Sequence, residues 1–396
     1  MDRAAASEAG QAIDHGPRKP RVCYFGTFSR GEDYPRNSSI IRGLTENGAE
    51  VMICQSDLWE THAEKMAGVG RGIPYQAWSY FKVYLGLAAR YWEMPEHDIV
   101  FVGYIGHIDM LPARALAWLK RKRIVFDAFY SLYETVVEDR KLYASGSARA
   151  RLLRLADRWS CRLADLVLLD TRAHVEYFCR EFGLDEGHFL AVPPGTDERI
   201  FYPRPAPEDD GILDIISYSS YIPLHGIDVQ IDAAHLLRDH QDIRFTFVGQ
   251  GQTCQEMRER AEKLGLANVR FIVDWLPLSE LAGLIAGSDV CLGIFGRTEK
   301  ASLVIPYKVY MALAMQKPVI TGDTAAAREL LVDGVNALLC PMGDAEGLAE
   351  RIRQLRDNRE LRKSIAEQGR QIFVERCMSR KMAESIMKEI EKRGLA

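Results

Sequence analysis

The chain has 396 residues, 47% hydrophobic and 27% charged, with a formal net charge of −4. That is ordinary globular composition, long enough for two or three domains. The weakly acidic balance argues against nucleic acid as a partner, no run reaches the ~18 uncharged apolar residues of a membrane span, and the eight cysteines form neither a CxxC pair nor a zinc-spaced cluster.

Residues 1–20 lack an apolar h-region and read as a flexible tail, not a secretory signal. Several cysteines sit in apolar runs, as in VCYFG and DVCLGIFG, which suits reduced core residues of a cytosolic protein. From Arg21 the chain alternates short apolar runs with amphipathic ones. RVCYFGTF reads as a buried strand ending in a glycine-containing loop, and SIIRGLTENGAEVMIC as a helix closed at Asn47-Gly48 and then a strand. HDIVFVGYIG, RIVFDAFYS and ADLVLLDT repeat the strand pattern, with helices between and after them. PPGTDERIFYPRPAPEDDG is proline-rich and aperiodic, as a linker is. The second half restarts with LDIISYSS, IRFTFVGQG, NVRFIVDW, DVCLGIFG, KPVITGD and NALLCP as strands separated by helices. The expectation is an α/β protein of two doubly wound Rossmann-like domains facing a cleft. It assigns 21–205 to an N-terminal, acceptor-binding domain and 206–396 to a C-terminal, nucleotide-sugar-binding one. The final helix is free to pack back on the first domain.

VPPGTDERIFYP, HGIDVQIDAA, FTFVGQG, NVRFIVDW, SDVCLGIF, ALAMQKPVITGD and AARELLVDGVNALL occur in this order from Val192 onward. Together they resemble the retaining glycosyltransferases of family 4, also called glycosyl transferases group 1, whose fold is GT-B. The N-terminal half is similar only in architecture. The resemblance implies sugar transfer from a nucleotide-sugar donor, UDP- or GDP-linked, to a glycan or lipid-linked acceptor with retention of configuration. It implies no resident cofactor and no metal, because lysines can neutralise the leaving diphosphate.

Gly249 and Gly251 follow a strand and precede a helix, where a side chain would keep backbone from a nucleotide; a plain βα turn needs glycines too. Asp274 and Trp275 end the next strand, at the place the family uses for the nucleotide base; Trp275 is alternatively a hydrophobe under a loop. Gly293, Gly296, Thr298, Lys300 and Lys308 lie between a strand end and a helix start, a pattern that suits a diphosphate. Charge grows on the leaving diphosphate as the sugar bond breaks, so a fixed cation there favours the transition state. Lys300 and Lys308 are therefore the expected catalytic cations. Pro306 marks the helix start. His225 stands where many relatives have a catalytic lysine and is itself an expected catalytic residue, and Ser219 lies near their usual arginine. Most relatives have two glutamates here; Leu303 stands where the first would fall, Met311 where the second, ribose-binding one would, and Glu299 is out of register. A methionine accepts no strong ribose hydrogen bond. Glu329 matches a family glutamate that faces the donor or caps a helix.

In the first half, His107 is the candidate catalytic residue near the sugar or acceptor. Gly26, Thr27, Ser29 and Arg36 line the first loop, and Asp127 and Tyr130 end a strand facing the same cleft. No paired-carboxylate general base is required, since in the family the leaving phosphate is thought to take the acceptor's proton. Residues 75–92, YQAWSYFKVYLGLAARYW, are aromatic with flanking cations, and LKRKR follows at 119–123. They suit either peripheral contact with anionic lipid, which would put a cytoplasmic protein at the inner face of a membrane, or a buried helix with a cationic end. Two other readings remain open: a weak or inactive nucleotide-sugar-binding protein, to which Met311 points, and a nucleotide-sugar epimerase.

Overall fold

The computed structural model describes residues 19–28, 35–56, 73–205 and 210–396. Most of the expected tail, Ser29 and part of the proline-rich segment lie outside the described residues.

The first half builds one six-stranded parallel sheet. Its strands are β1 (Arg21–Gly26), β2 (Glu50–Gln55), β3 (Ile99–Val102), β4 (Arg123–Phe129), β5 (Leu166–Leu169) and β6 (Phe189–Ala191), in the order β2-β1-β3-β4-β5-β6. The helices are α1 (Pro35–Glu46), α2 (Ile73–Glu93), α3 (Met110–Leu119), α4 (Ala148–Leu163) and α5 (Arg172–Phe182), with a π-helical turn at Glu134–Asp139. β3 and β5 are buried at every residue, as expected of parallel strands covered on both faces. Leu87 and Tyr91 of α2, Met110, Ala113 and Ala117 of α3, and Ala150 and Cys161 of α4 pack in one cluster with Cys23, Phe25, Val100, Val102, Ile124 and Phe126. α2, α3 and α4 thus cover one sheet face side by side.

The second half repeats the plan with β7 (Leu213–Tyr218), β8 (Ile243–Val248), β9 (Val269–Ile272), β10 (Val290–Leu292), β11 (Val319–Gly322) and β12 (Leu338–Cys340), ordered β12-β11-β10-β7-β8-β9 and parallel throughout. Its helices are α6 (Ile227–Leu236), α7 (Cys254–Lys263), α8 (Leu278–Ala286), α9 (Glu299–Leu303), α10 (Tyr307–Ala314), α11 (Ala325–Arg328), α12 (Ala345–Asp357), α13 (Arg359–Arg376) and α14 (Ser379–Lys392). The short α9 falls in a stretch that reads from sequence as loop. α14 crosses back to the first sheet, where Met382, Ala383, Ile386 and Ile390 share a buried cluster with Ile40 and Leu44 of α1.

Each sheet has one point where strand order reverses: beside β1 and β3 in the first, beside β7 and β10 in the second. Connections leave such a pair of strands in opposite directions, which opens a crevice at their carboxyl ends. Residues 26–28 and 103–109 meet at the first crevice, and residues 219–226 and 293–298 at the second.

Candidate functional site

The second crevice is assembled backbone against backbone. A 3₁₀ turn at Pro223–His225 ends at Gly226, which is left-handed with φ +60°. A Cβ on Gly226 would lie 2.5 Å from the Gly296 nitrogen, and one on Gly296 would lie 2.4 Å from the Pro223 carbonyl oxygen. Both positions therefore require glycine. The Phe295 amide donates to the His225 carbonyl (3.2 Å) and the Gly296 amide to the Leu224 carbonyl (3.1 Å). The Gly293 amide donates to Ile320, and that of Ile294 to Thr321 Oγ1. The amides expected to cradle a diphosphate at 293–296 are thus already used inside the fold.

The crevice does hold two buried nitrogens without a hydrogen-bond partner among the described residues. Pro306 is the N-cap of α10, so Lys308 falls in its first turn, where the helix dipole favours an anion. The Lys308 side chain runs over Tyr218, with Nζ 5.9 Å from the ring centroid. The Tyr218 hydroxyl donates to the Lys308 carbonyl at 2.7 Å. Lys308 is 5% exposed, and its ammonium has no hydrogen-bond partner among the described residues. Burial, only slightly offset by Cys291, pulls it down to about 7. His225 is also buried, with Nδ1 unpartnered. Burial first, and then the Lys308 charge, hold His225 well below the usual histidine range. A cation and a neutral imidazole at a strand-order reversal, neither with a hydrogen-bond partner among the described residues, are desolvated groups that an anion would compensate.

Lys300 is used differently. Its ammonium donates to Thr135 Oγ1 at 2.5 Å and to Glu134 Oε2 at 3.3 Å, both in the opposite half, and lies over the Tyr130 ring at 4.9 Å. Glu134 also faces His174 Nε2 at 3.3 Å, and His174 Nδ1 lies 2.7 Å from Asp170. Burial opposes both charges. Even so, Lys300 and His174 hold Glu134 down to about 2, and Glu134 and Asp170 hold His174 up to about 9. The row Lys300–Glu134–His174–Asp170 is a buried charge chain across the domain junction. Neighbouring residues join it. Thr298 caps α9 and donates to Asp139 at 3.1 Å, Thr171 donates to the Leu303 carbonyl, and Tyr307 meets Phe129 edge-on at 5.8 Å. Glu329 reaches across the same junction. Its carboxylate accepts from the amides of Arg172 and Ala173, each at 2.8 Å, at the N-terminus of α5. It therefore caps a helix of the opposite half, with both oxygens occupied.

The remaining candidates spread further. A Cβ on Gly249 or Gly251 would lie 2.1 and 1.8 Å from the Ser219 and Ser220 carbonyl oxygens, so both glycines answer first to the adjoining strand exit. Asp274 is exposed and Trp275 is 65% exposed, which excludes a ring buried under a loop and leaves an open apolar wall. Met311 is buried in the core beside Ala312 and Leu313.

In the first half, Arg36 and Asp127 form a fully buried bidentate pair, with Nε to Oδ2 at 2.7 Å and Nη2 to Oδ1 at 2.7 Å. The Arg36 guanidinium also stacks over Phe129 at 4.5 Å. Expected to touch an acceptor, the two instead hold the ends of α1 and β4 together. Thr27 donates through its amide and hydroxyl to Asp109, which also accepts from Tyr84. A Cβ on Gly26 would collide with that carboxylate at 2.5 Å. His107 is buried edge-on to Phe126, with Nε2 3.3 Å from Asp157, which the Ser131 hydroxyl and the amides of Leu132 and Tyr133 already engage. Tyr130 alone of these reaches the junction, through Lys300.

Sequence reasoning missed Glu134, His174, Asp170 and Asp109. Asp170 and His174 do show the i, i+4 spacing of a helix start, a signal that could have been read.

Comparison with known proteins follows this division into halves. Residues 198–372 match the family model of glycosyl transferases group 1. EpsD of Bacillus subtilis, whose name assigns it provisionally to the glycosyltransferases, is 30% identical over 194 residues, 48% of this chain and 47% of the relative. The alpha-D-kanosaminyltransferase of Streptomyces kanamyceticus is 25% identical over 152 residues, 36% of each. The chain thus spans under half the length of these curated relatives. Whole-chain likeness is structural. HepE of Anabaena, solved with UDP-glucose, superposes with a TM-score of 0.68 at 15% identity, covering 94% of this chain and 99% of that one. Sucrose-phosphate synthase of Thermosynechococcus elongatus gives 0.67 at 16%, covering 95% and 99%. The architecture is GT-B.

Proposed function

We propose that the chain transfers a sugar from a nucleotide-sugar donor, a UDP-sugar first among the candidates, to a glycan or glycolipid acceptor with retention of configuration. The observation that carries this reading is Lys308: a buried, unpartnered ammonium in the first turn of a helix, at the strand-order reversal of the half that matches glycosyl transferases group 1. The UDP and UDP-glucose held by HepE, a protein of the same fold, support the choice of base.

In this reading the donor's diphosphate lies against Lys308 and His225, with the base toward Asp274 and Trp275. The bond between the anomeric carbon and the diphosphate oxygen breaks, the acceptor oxygen bonds to that carbon on the same face, and the leaving phosphate takes the acceptor's proton. Lys308 stabilises the charge growing on that phosphate. His225, neutral, donates or accepts one hydrogen bond. Lys300, Thr298 and Glu329 hold the two halves in register and contact no donor. The acceptor lies toward Gly26, Thr27 and Tyr130, on a frame set by Arg36 and Asp127.

A second reading, nucleotide-sugar binding without turnover, is favoured by Met311, which places no hydrogen-bond acceptor where relatives have a ribose-binding glutamate. One experiment separates the two: thermal shift and nucleotide release on the same samples with UDP-, GDP-, ADP- and CDP-sugars. A donor at 100 times its Kd adds about 2.7 kcal/mol of stability. Stabilisation with UDP release supports transfer. Stabilisation without release, even with added acceptors, supports binding alone. If no donor stabilises the protein, the anion site is not a donor site.

A further inference from the structure

The outer surface of the α2–α3–α4 layer is more apolar than a solvated helix face. Trp78, Phe81, Leu85 and Trp92 lie at one helical spacing on α2, and all are more than half exposed. Leu111, Trp118 and Leu119 on α3, and Leu152, Leu155 and Trp159 on α4, continue the surface, with Trp118 71% exposed. Four of the chain's six tryptophans lie on this one face. Single exposed apolar residues need no account, but a contiguous set across three packed helices marks an interaction surface.

On α4 the charge of this face is one-sided. α4 carries Arg149, Arg151, Arg154, Arg158 and Arg162 against a lone aspartate, Asp157, which is fully buried on the opposite side. The cations interleave with the rings: Arg149 lies over Tyr143, Arg162 over Trp159 and Lys82 over Trp78. Between α4 and α5 there is a concavity of about 310 Å³ lined by Arg151, Arg154, Leu155, Arg158, Glu181 and Phe182. Glu181 engages Arg154. A cationic hollow beside exposed indoles and leucines is what a bilayer surface fits: phosphate headgroups at the arginines, aromatic and leucine side chains at the acyl boundary. No helix among the described residues is long and apolar enough to cross a membrane, so such contact would be peripheral.

We infer that the α2–α3–α4 face docks on an anionic lipid bilayer, with the α4 arginines binding headgroup phosphates and Trp78, Trp92, Trp118 and Trp159 entering the interface. The charge complementarity, not the apolar area alone, selects this occupant over a second copy of the chain, which would set the arginines of one copy against those of the other. The donor site takes no part, so the inference stands or falls apart from the proposed transfer.

The test is sedimentation of the full chain with vesicles of phosphatidylcholine alone and with a one-third share of phosphatidylglycerol. Binding to the anionic vesicles only, weakened by salt, is expected. Arg151→Gln and Arg158→Gln should each lower partition about fivefold, and Trp118→Ser roughly tenfold. These side chains are exposed, so melting should be unchanged; Trp92→Ser replaces any variant that melts lower. Equal binding to both vesicle types, no binding to either, or a dimer that Trp118→Ser dissolves without a change in vesicle binding would each overturn the inference.

Discussion

Two lysines eight positions apart, on either side of Pro306, meet opposite fates. Lys300 spends its charge on Glu134 across the junction, inside a chain of alternating charge. Among the described residues Lys308 is buried with no anion beside it, and it sits at about 7. A paired buried charge is a structural element whose loss strands its partner. An unpaired one is a cost the fold carries, and such costs cluster where a ligand later repays them. In the proposed reading Lys300 belongs to the architecture and Lys308 to the chemistry, although the two look alike from the surrounding residues.

The largest expected effect comes from Lys308→Met. Donor turnover should fall on the order of 10²–10³-fold, the usual loss when one preorganised charge-stabilising group is removed. The unliganded protein should meanwhile become more stable by about 1–3 kcal/mol, because a buried ammonium without a partner is gone. Nucleotide release and urea denaturation on the same variant read both. A variant that loses activity and stability together would put Lys308 in the same class as Lys300. Lys300→Met should do the reverse: unfolding free energy lower by about 3 kcal/mol, since Glu134 loses its cation, with donor affinity per folded molecule retained.

Acidity sharpens the same contrast. Lys308 is mostly neutral above pH 7 in the free protein and must be charged to hold a diphosphate, so binding at pH 8 should take up close to one proton and at pH 6 almost none. Donor affinity should fall about tenfold per pH unit above 7. Calorimetry in buffers of different ionisation heat measures the uptake. It should vanish in Lys308→Met and persist in Lys300→Met. The stability sign is opposite to that of affinity. The folded value lies below the unfolded one, so the unfolded chain binds more protons between pH 7 and the ordinary lysine range, and the unliganded protein gains stability as pH rises there.

The order of strands and helices was legible because each strand is a short apolar run with a glycine or polar exit and each helix shows its own period. The place of Lys308 in a first helical turn was legible for the same local reason: it follows the proline that starts the helix. The partners of Lys300 and Glu329 were not. Glu134 lies 166 positions from Lys300, and Arg172 lies 157 from Glu329, so nothing in the local pattern records either contact. Arg36 and Asp127 failed in the same way. Both sit at crevice ends as expected, but they neutralise each other across 91 positions. Met311 was legible as a missing hydrogen-bond acceptor, though not as a core side chain, because that depends on how α10 turns against the sheet.

Glu329→Gln carries the smallest effect and the finest distinction. A glutamate in this place can hold a donor or cap a helix, and its neighbours in sequence fit either. Here both oxygens accept amides from α5, while burial pushes the carboxyl above the usual range despite those two bonds. A glutamine keeps one acceptor oxygen and turns an NH₂ toward the other amide, so one charge-assisted bond is lost where the helix dipole favours negative charge. The expected cost is about 1 kcal/mol of unfolding free energy, read as a lower urea midpoint, with the Kd for UDP unchanged. A donor ligand would give the opposite pair of results: an unchanged midpoint and a weaker Kd. Each carboxylate oxygen already holds one amide and keeps a second acceptor site, so the outcome also tells whether the cap and the donor share this carboxylate. If both quantities shift, Glu329 serves the cap and the donor together, and the junction between the halves is part of the donor's seat.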